Sequence, residues 1–312
     1  MSLSDARCIA FPSTAADAPS EELSRADGDL DLFEHCLVRP GARFALDGID
    51  PDFCGVYDSP ESAQLAIRYY RRRLDRLHHA MREEDRRSVL VILQGLGASG
   101  KNGVVRLLLS SVNPAGCRVV EFRQRDHERP RHDFLWRVHS QVPQRGEMAV
   151  FHRSHYEDVL AVRVHRMVSA DSCRQRFDLI NQFEYLLGAE NRTTVLKFLL
   201  HISKQEQLAR FRRRLDDPDR RWKVSEAHYR EHEYWDDYMA AFEDMLNGTS
   251  TVEAPWFVIP SNRKWFRDLA VLRIIVRAME GLGTKVPGPA VDFARIRRNY
   301  HEVEAESEAK AS

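Results

Sequence analysis

Residues Leu90 to Gly103 read LVILQGLGASGKNG, and the fold turns on this stretch. Val89 to Leu93 is an unbroken apolar run, as a strand buried on both faces requires. A glycine-rich turn follows directly, with Gly95 and Gly100-Lys101 at the G-x-x-x-x-G-K spacing of a phosphate-binding P-loop. After it, Val104, Val105, Leu107 and Leu108 form the buried face of a helix. The start of that helix offers free N–H donors to phosphate, through Gly95, Ala98, Ser99, Gly100, Asn102 and Gly103. Lys101 is the strongest candidate for chemistry, its ammonium reaching the outer phosphates. The plainer alternative is a glycine-rich turn with a surface lysine. One position is irregular: Asn102 stands where Ser or Thr would hold Mg²⁺.

Working outward, Ser59 and Pro60 mark the start of a helix striped by Ala63, Ala66, Ile67, Tyr70, Leu74, Leu77 and Met81. Its other face carries Arg68, Arg71, Arg72, Arg76 and Arg82, a solvated surface or a polyanion track. Residues 37–58 read as an irregular lead-in. Downstream, strands are expected at Cys117–Phe122, Met148–Phe151, Thr194–Leu200 and Trp256–Ile259. Helical patterns fall near Phe134, over Val159–Met167 and Phe177–Leu187, and finally from Phe266 to Met279. Short apolar strands alternating with helices predict an α/β domain, its parallel sheet covered on both faces. Right-handed crossovers collect the strand C-terminal ends on one rim, where ligands bind. The expected organisation is an arm over 1–30, one domain over 31–290 and a charged tail over 291–312. The charged stretch 204–246 interrupts the alternation and is expected to form a lid.

Composition narrows the class. With 43% apolar residues the chain can bury a core, and 47 basic against 47 acidic residues leave no global field for nucleic acid. The five scattered cysteines favour reduced thiols in a cytoplasm over disulfides or a zinc site. No apolar run approaches membrane-spanning length.

Other candidates cluster after the third strand and in the lid. Arg153 and His155 should reach the P-loop rim, with His152 where a metal-holding acid is expected. Glu157 and Asp158 lie on the next turn, either at the site or as acids at a helix start. Arg210, Arg213 and Arg214 share one side of a helix, as a phosphate clamp or as a solvated face paired with nearby aspartates. The 13 histidines lack zinc spacing. The tryptophans read as core.

In order along the chain, GLGASGKNG (95–103), VNPAGCRV (112–119), HDFLWRVHSQVP (132–143) and FHRSHYEDVLAVRVH (151–165) are followed by four further motifs. These are KFLLHISKQEQLARFRRRLDDPDRRWK (197–223), YWDDYMAAFEDML (234–246), TSTVEAPWFVIPSNRKWF (249–266) and LAVLRIIV (269–276). Together they resemble polyphosphate kinase family 2, phosphotransferases that move phosphate between inorganic polyphosphate and nucleotides. The likeness runs from Val38 to Leu282 and is nearest the branch that phosphorylates AMP as well as ADP. It implies a P-loop kinase-like three-layer α/β/α fold with a helical lid, Mg²⁺ dependence and a homo-oligomer. It also implies phosphate or nucleotide contacts from Ser154, Tyr156 and Glu157, a catalytic role for Lys101 and Arg153, and a polyphosphate grip by Arg210, Arg214 and Lys223.

Four positions depart from the family pattern. Gly97 and Asn102 stand in the loop where the family carries Asp, His152 where it carries Asp or Asn, and His228 where the lid carries Asp. The cationic half of the site is kept and the acidic, metal-holding half is eroded. Two functions are therefore open: a polyphosphate-dependent nucleotide phosphotransferase, or an impaired member that binds polyphosphate or nucleotide as a regulatory subunit. An ATP-driven small-molecule kinase leaves the later motifs unexplained.

Overall fold

The computed structural model describes residues 31–122, 132–223, 230–286 and 296–301. The expected arm, most of the charged tail and His228 lie outside these, as does the side chain of Lys223.

Ser88–Gln94 (β2) is buried at every position, which accounts for its apolar run. It pairs in parallel with Thr193–His201 (β5) on one side and Met148–His152 (β4) on the other. Cys117–Glu121 (β3) and Trp256–Pro260 (β6) extend the sheet in the same sense, each strand lying within one residue of the expected bounds. Leu37–Val38 (β1), inside the supposed lead-in, adds an antiparallel edge to β6. Two residues are too short for a periodic signal. The order is β1-β6-β5-β2-β4-β3, so the P-loop strand is central.

One face is covered by the helices Leu32–Cys36 (α1), Pro60–Glu84 (α2), Lys101–Leu109 (α3) and Lys264–Gly281 (α9). In α2 the apolar stripe packs inward through Ala63, Ala66, Tyr70, Leu74 and Met81, and Ser59 caps it reciprocally with Ser62. The other face is covered by Ala170–Asn191 (α6) and Trp235–Thr249 (α8). Two further expected helices shrink to single turns, Trp136–His139 (α4) and Ala161–Val164 (α5).

The expected lid divides. Lys204–Asp216 (α7) and the turns after it remain over the rim, whereas α8 buries Tyr238, Ala241, Phe242, Met245 and Leu246 in the second core. A stripe of that width belongs against a sheet. Trp136 is 60% exposed, against the expectation of core tryptophans, whereas Trp256 is fully buried. Among the described residues no helix is long and apolar enough to cross a membrane, and Cys36, Cys54, Cys117 and Cys173 are free thiols.

Candidate active site

The P-loop leaves the C-terminal end of β2 and closes on the start of α3. Two of its glycines are obligatory. Gly95 has φ +139°, and a Cβ there would stand 2.7 Å from the Leu200 carbonyl. Gly100, at φ +113°, is pressed by the guanidinium of Arg267, which is 3% exposed and fills the space a side chain would need. Ala98 takes a left-handed φ of +67° without being glycine, so the loop holds strain at its crest. Gly97 is not among the positive-φ residues.

Lys101 opens α3 and is 6% exposed. Its Nζ donates to the carbonyls of Gly95 (2.6 Å) and Leu96 (3.1 Å), so it spans the loop mouth with a donor to spare. Burial lowers its pKa to about 7, assisted by the positive charge of Arg153 and Arg214 and opposed by Glu157.

β4 supplies the opposite wall. Arg153 follows its last residue at φ +63°, with its N–H on the Leu93 carbonyl, 3.0 Å away. Ser154 caps the short turn His155–Asp158 by accepting from the Tyr156 N–H. The Gln94 amide, at the end of β2, accepts from the Ser154 hydroxyl (3.1 Å) and donates to Glu157 Oε1 (3.0 Å). Glu157 stands 3.9 Å from Arg153 Nη1. Burial raises its pKa, against the pull of Arg153 and Lys101. A cavity of about 160 Å³ lies between these groups, lined by Gln94, Gly95, Gly97, Arg153 and Glu157, with Leu160, Glu231, Tyr238 and Phe242 beyond them.

Three candidate residues are placed differently from expectation. Tyr156 and His155 are fully buried beneath the turn rather than at the cavity. The Tyr156 hydroxyl donates to Glu184 Oε1 (2.9 Å), Lys197 Nζ donates to that hydroxyl (3.0 Å) and to Glu184 Oε2 (2.6 Å), and His155 Nε2 lies 3.2 Å from Glu184 Oε1. This buried network holds the turn from below. Lys197 and Glu184 carried no signal in the sequence, since each reads as one charge on an otherwise regular strand or helix.

Arg210 is the third. Its Nε donates to Glu206 (2.7 Å), Nη1 to the carbonyls of Ala98 (2.8 Å) and Ser99 (3.1 Å), and Nη2 to those of Ser261 (2.6 Å) and Asn262 (2.8 Å). All five guanidinium donors are committed within the protein, so Arg210 has none left for polyphosphate. It clamps the P-loop to the end of β6. Gln207, not anticipated, adds a bond to the Gly97 carbonyl (2.9 Å) and accepts from His232 (2.6 Å). Arg214 stays half-buried, and its charge reaches Lys101. Arg213 is tied to Glu206 (2.7 Å).

The model of Polyphosphate kinase 2 (PPK2) matches residues 58–286. The chain belongs to this family. It is a polyphosphate kinase 2-type phosphotransferase. It is 43% identical over 260 residues to an AMP/ADP-polyphosphate phosphotransferase of Meiothermus ruber, covering 83% of this chain and 97% of the relative. An ADP-polyphosphate phosphotransferase of Rhodopseudomonas palustris is 39% identical over 251 residues, 77% of this chain and 85% of that one. The crystal structure of Polyphosphate Kinase 2 from Arthrobacter aurescens TC1 superposes with a TM-score of 0.81 at 37% identity, over 85% of this chain and 95% of its own.

Family membership implies Mg²⁺, and the donor set can be tested against it. Mg²⁺ is held by one or two carboxylates together with substrate phosphates. Beside the P-loop lysine the described side chains supply Glu157, and no described group of three or more His, Cys, Asp or Glu could hold a metal. His152 does not substitute for an acid. Burial and the nearby charge of Lys101 lower its pKa to about 4, and its Nδ1 is buried without a hydrogen-bond partner, 3.7 Å from Glu121. A neutral imidazole suits softer metals than Mg²⁺. The described residues therefore offer Glu157 as the carboxylate beside the loop, with none at Gly97, Asn102 or His152.

Proposed function

We propose that this chain transfers a phosphoryl group between inorganic polyphosphate and AMP or ADP, at the P-loop. The observation that carries the reading is the convergence of the Lys101 ammonium and the Arg153 guanidinium at the start of α3, with Arg214 charged nearby. Such a constellation favours the charge that spreads over the equatorial oxygens of a phosphoryl group in flight. Lys101 and the helix start hold phosphates, Arg153 supports the transferring group, and Arg214 meets the polyphosphate chain. Transfer is in line and needs no covalent enzyme intermediate. Mg²⁺, in this reading, enters already bound to the phosphates of its substrates. Purified protein with polyphosphate, Mg²⁺ and AMP or ADP should form the next higher nucleotide, and Lys101→Ala should abolish this. No product at high enzyme concentration would overturn the reading.

The donor set favours a second reading, a member of reduced activity whose main role is binding. Gly97→Asp separates the two. Gly97 lines the cavity and lies outside the positive-φ set. If a missing carboxylate limits the rate, Gly97→Asp should raise kcat by about tenfold or more, equivalent to about 1.4 kcal/mol, and lower the Mg²⁺ needed for half-maximal rate. An unchanged kcat in an active wild type removes the second reading.

A further inference from the structure

Another cavity, of about 410 Å³, opens on the outer surface between α2 and the end of α3. Arg68, Arg71, Arg72 and Asp75 line it from α2, with Ser110, Ser111 and Asn113 among the residues opposite. Steps of three and four place those α2 side chains on one side of the helix. Three guanidiniums against one carboxylate leave the cavity cationic. These arginines belong to the helix face whose sequence reads as either a solvated surface or a polyanion track.

Arg71 is not a loose surface arginine. Its Nε donates to the Ser111 hydroxyl (3.1 Å), and its Nη2 to the carbonyl (2.7 Å) and hydroxyl (3.1 Å) of Ser110. Those bonds close the C-terminal end of α3, and capping alone would account for them. They leave the Nη1–H donors without a partner among the described residues, on a guanidinium already fixed in place. Capping does not account for Arg68 and Arg72, both exposed at the same cavity. Nor is the cavity cut off from the P-loop. Asn102, Arg106 and Ser110 are exposed at steps of four along α3, so one solvent-facing stripe runs from the loop to Arg71. Its length is about 12 Å.

We infer that this cavity is a distal anchor for condensed phosphate. A polyphosphate chain with one end on the P-loop runs along α3 past Arg106 and is gripped again by Arg68, Arg71 and Arg72. The inference rests on the phosphotransferase reading above and adds to it a contact outside the reacting centre. Guanidinium N–H groups bind phosphate oxygens by charge-assisted, often bidentate bonds. A chain held at the loop presents its distal phosphates to the anchor at high effective concentration, so contacts that are weak alone add to affinity. Tripolyphosphate is too short to occupy both ends of the stripe at once. The anchor therefore favours long chains over short ones.

The test compares long-chain polyphosphate with tripolyphosphate at low salt, each with ADP as acceptor. In the double variant Arg68→Gln and Arg72→Gln, the long-chain concentration at half-maximal rate should rise about fivefold or more, with kcat unchanged. The constant for tripolyphosphate, read as donor or as competitive inhibitor, should not move. A control pair, Arg39→Gln and Arg174→Gln, removes two exposed arginines elsewhere and should leave both constants unaffected. No rise for the long chain, an equal rise for both lengths, or an equal rise in the control pair overturns the anchor. Calorimetric binding of long-chain polyphosphate to the same proteins judges the anchor even if turnover is absent. Affinity lost in the Arg68 and Arg72 variant but kept in the control, without turnover, retains the anchor and removes the phosphotransferase reading. Affinity unchanged in that variant overturns the anchor and leaves the phosphotransferase reading to the turnover assay.

Discussion

Lys101 places two of its three N–H donors on carbonyls of its own loop, and its pKa lies at about 7. A polyanion bound at the loop stabilises the charged form, so binding draws a proton onto the lysine wherever the free enzyme has lost it. The sign follows directly: below pH 7 the ammonium is already charged and affinity is flat. Above it, affinity falls by up to about tenfold per pH unit. Polyphosphate titrations between pH 6 and 9 should show this decline, with proton uptake visible by calorimetry in buffers of different ionisation enthalpy. Lys101→Arg should bind more weakly at pH 7 but hold a constant affinity to pH 9, since guanidinium does not titrate there. The same decline in Lys101→Arg would assign the pH dependence to another group. The residue's identity was readable in G-x-x-x-x-G-K. Its titration was not, because that depends on Arg153, Glu157 and Arg214, which arrive from other elements.

At the scale of the element, α7 shows how a correct pattern can carry the wrong role. Arg210, Arg213 and Arg214 do share one side of the helix, as the spacing requires. But a loop that turns its N–H groups inward to phosphate turns its carbonyls outward, and buried carbonyls require donors. Arg210 and Gln207 meet that need at Gly97, Ala98 and Ser99. No sequence periodicity encodes a partner that lies 111 or 112 residues away. Arg210 and Arg214 should therefore separate experimentally. Arg210→Lys, with a point charge in place of a planar fork, leaves carbonyls unpaired and should cost roughly 3 kcal/mol of stability. It should also lower kcat as the loop loosens. Arg214→Gln should change the denaturation midpoint little and raise the polyphosphate concentration at half-maximal rate, an effect that fades with salt. Reversed outcomes would return Arg210 to the substrate and make Arg214 a structural residue.

For the whole molecule, the sheet and its flanking helices were legible because parallel strands buried on both faces read as short apolar runs. The antiparallel edge β1 and the inward packing of α8 were not, since one is two residues long and the other lay inside a charged stretch. Nor could the ends of strands be seen to bury histidines. His152 closes β4 and His201 closes β5, and burial lowers each from 6.5 to about 4. Lys101 and Arg153 add to the shift at His152. In the unfolded chain both imidazoles take up a proton near pH 6.5, while the native state refuses it until about 4. Their contribution is thus intact above pH 6.5 and is lost as pH falls through that window, by up to about 3 kcal/mol each. Against a typical domain stability of roughly 5–15 kcal/mol, the fold should weaken steeply well before its carboxylates protonate. Urea midpoints measured from pH 7.5 to 4.5 should decline with a slope of at least two protons taken up on unfolding, since His35, His78 and His232 are lowered as well. The double variant His152→Gln and His201→Gln should flatten that decline, and a slope unchanged in the double variant would place the acid-sensitive groups elsewhere.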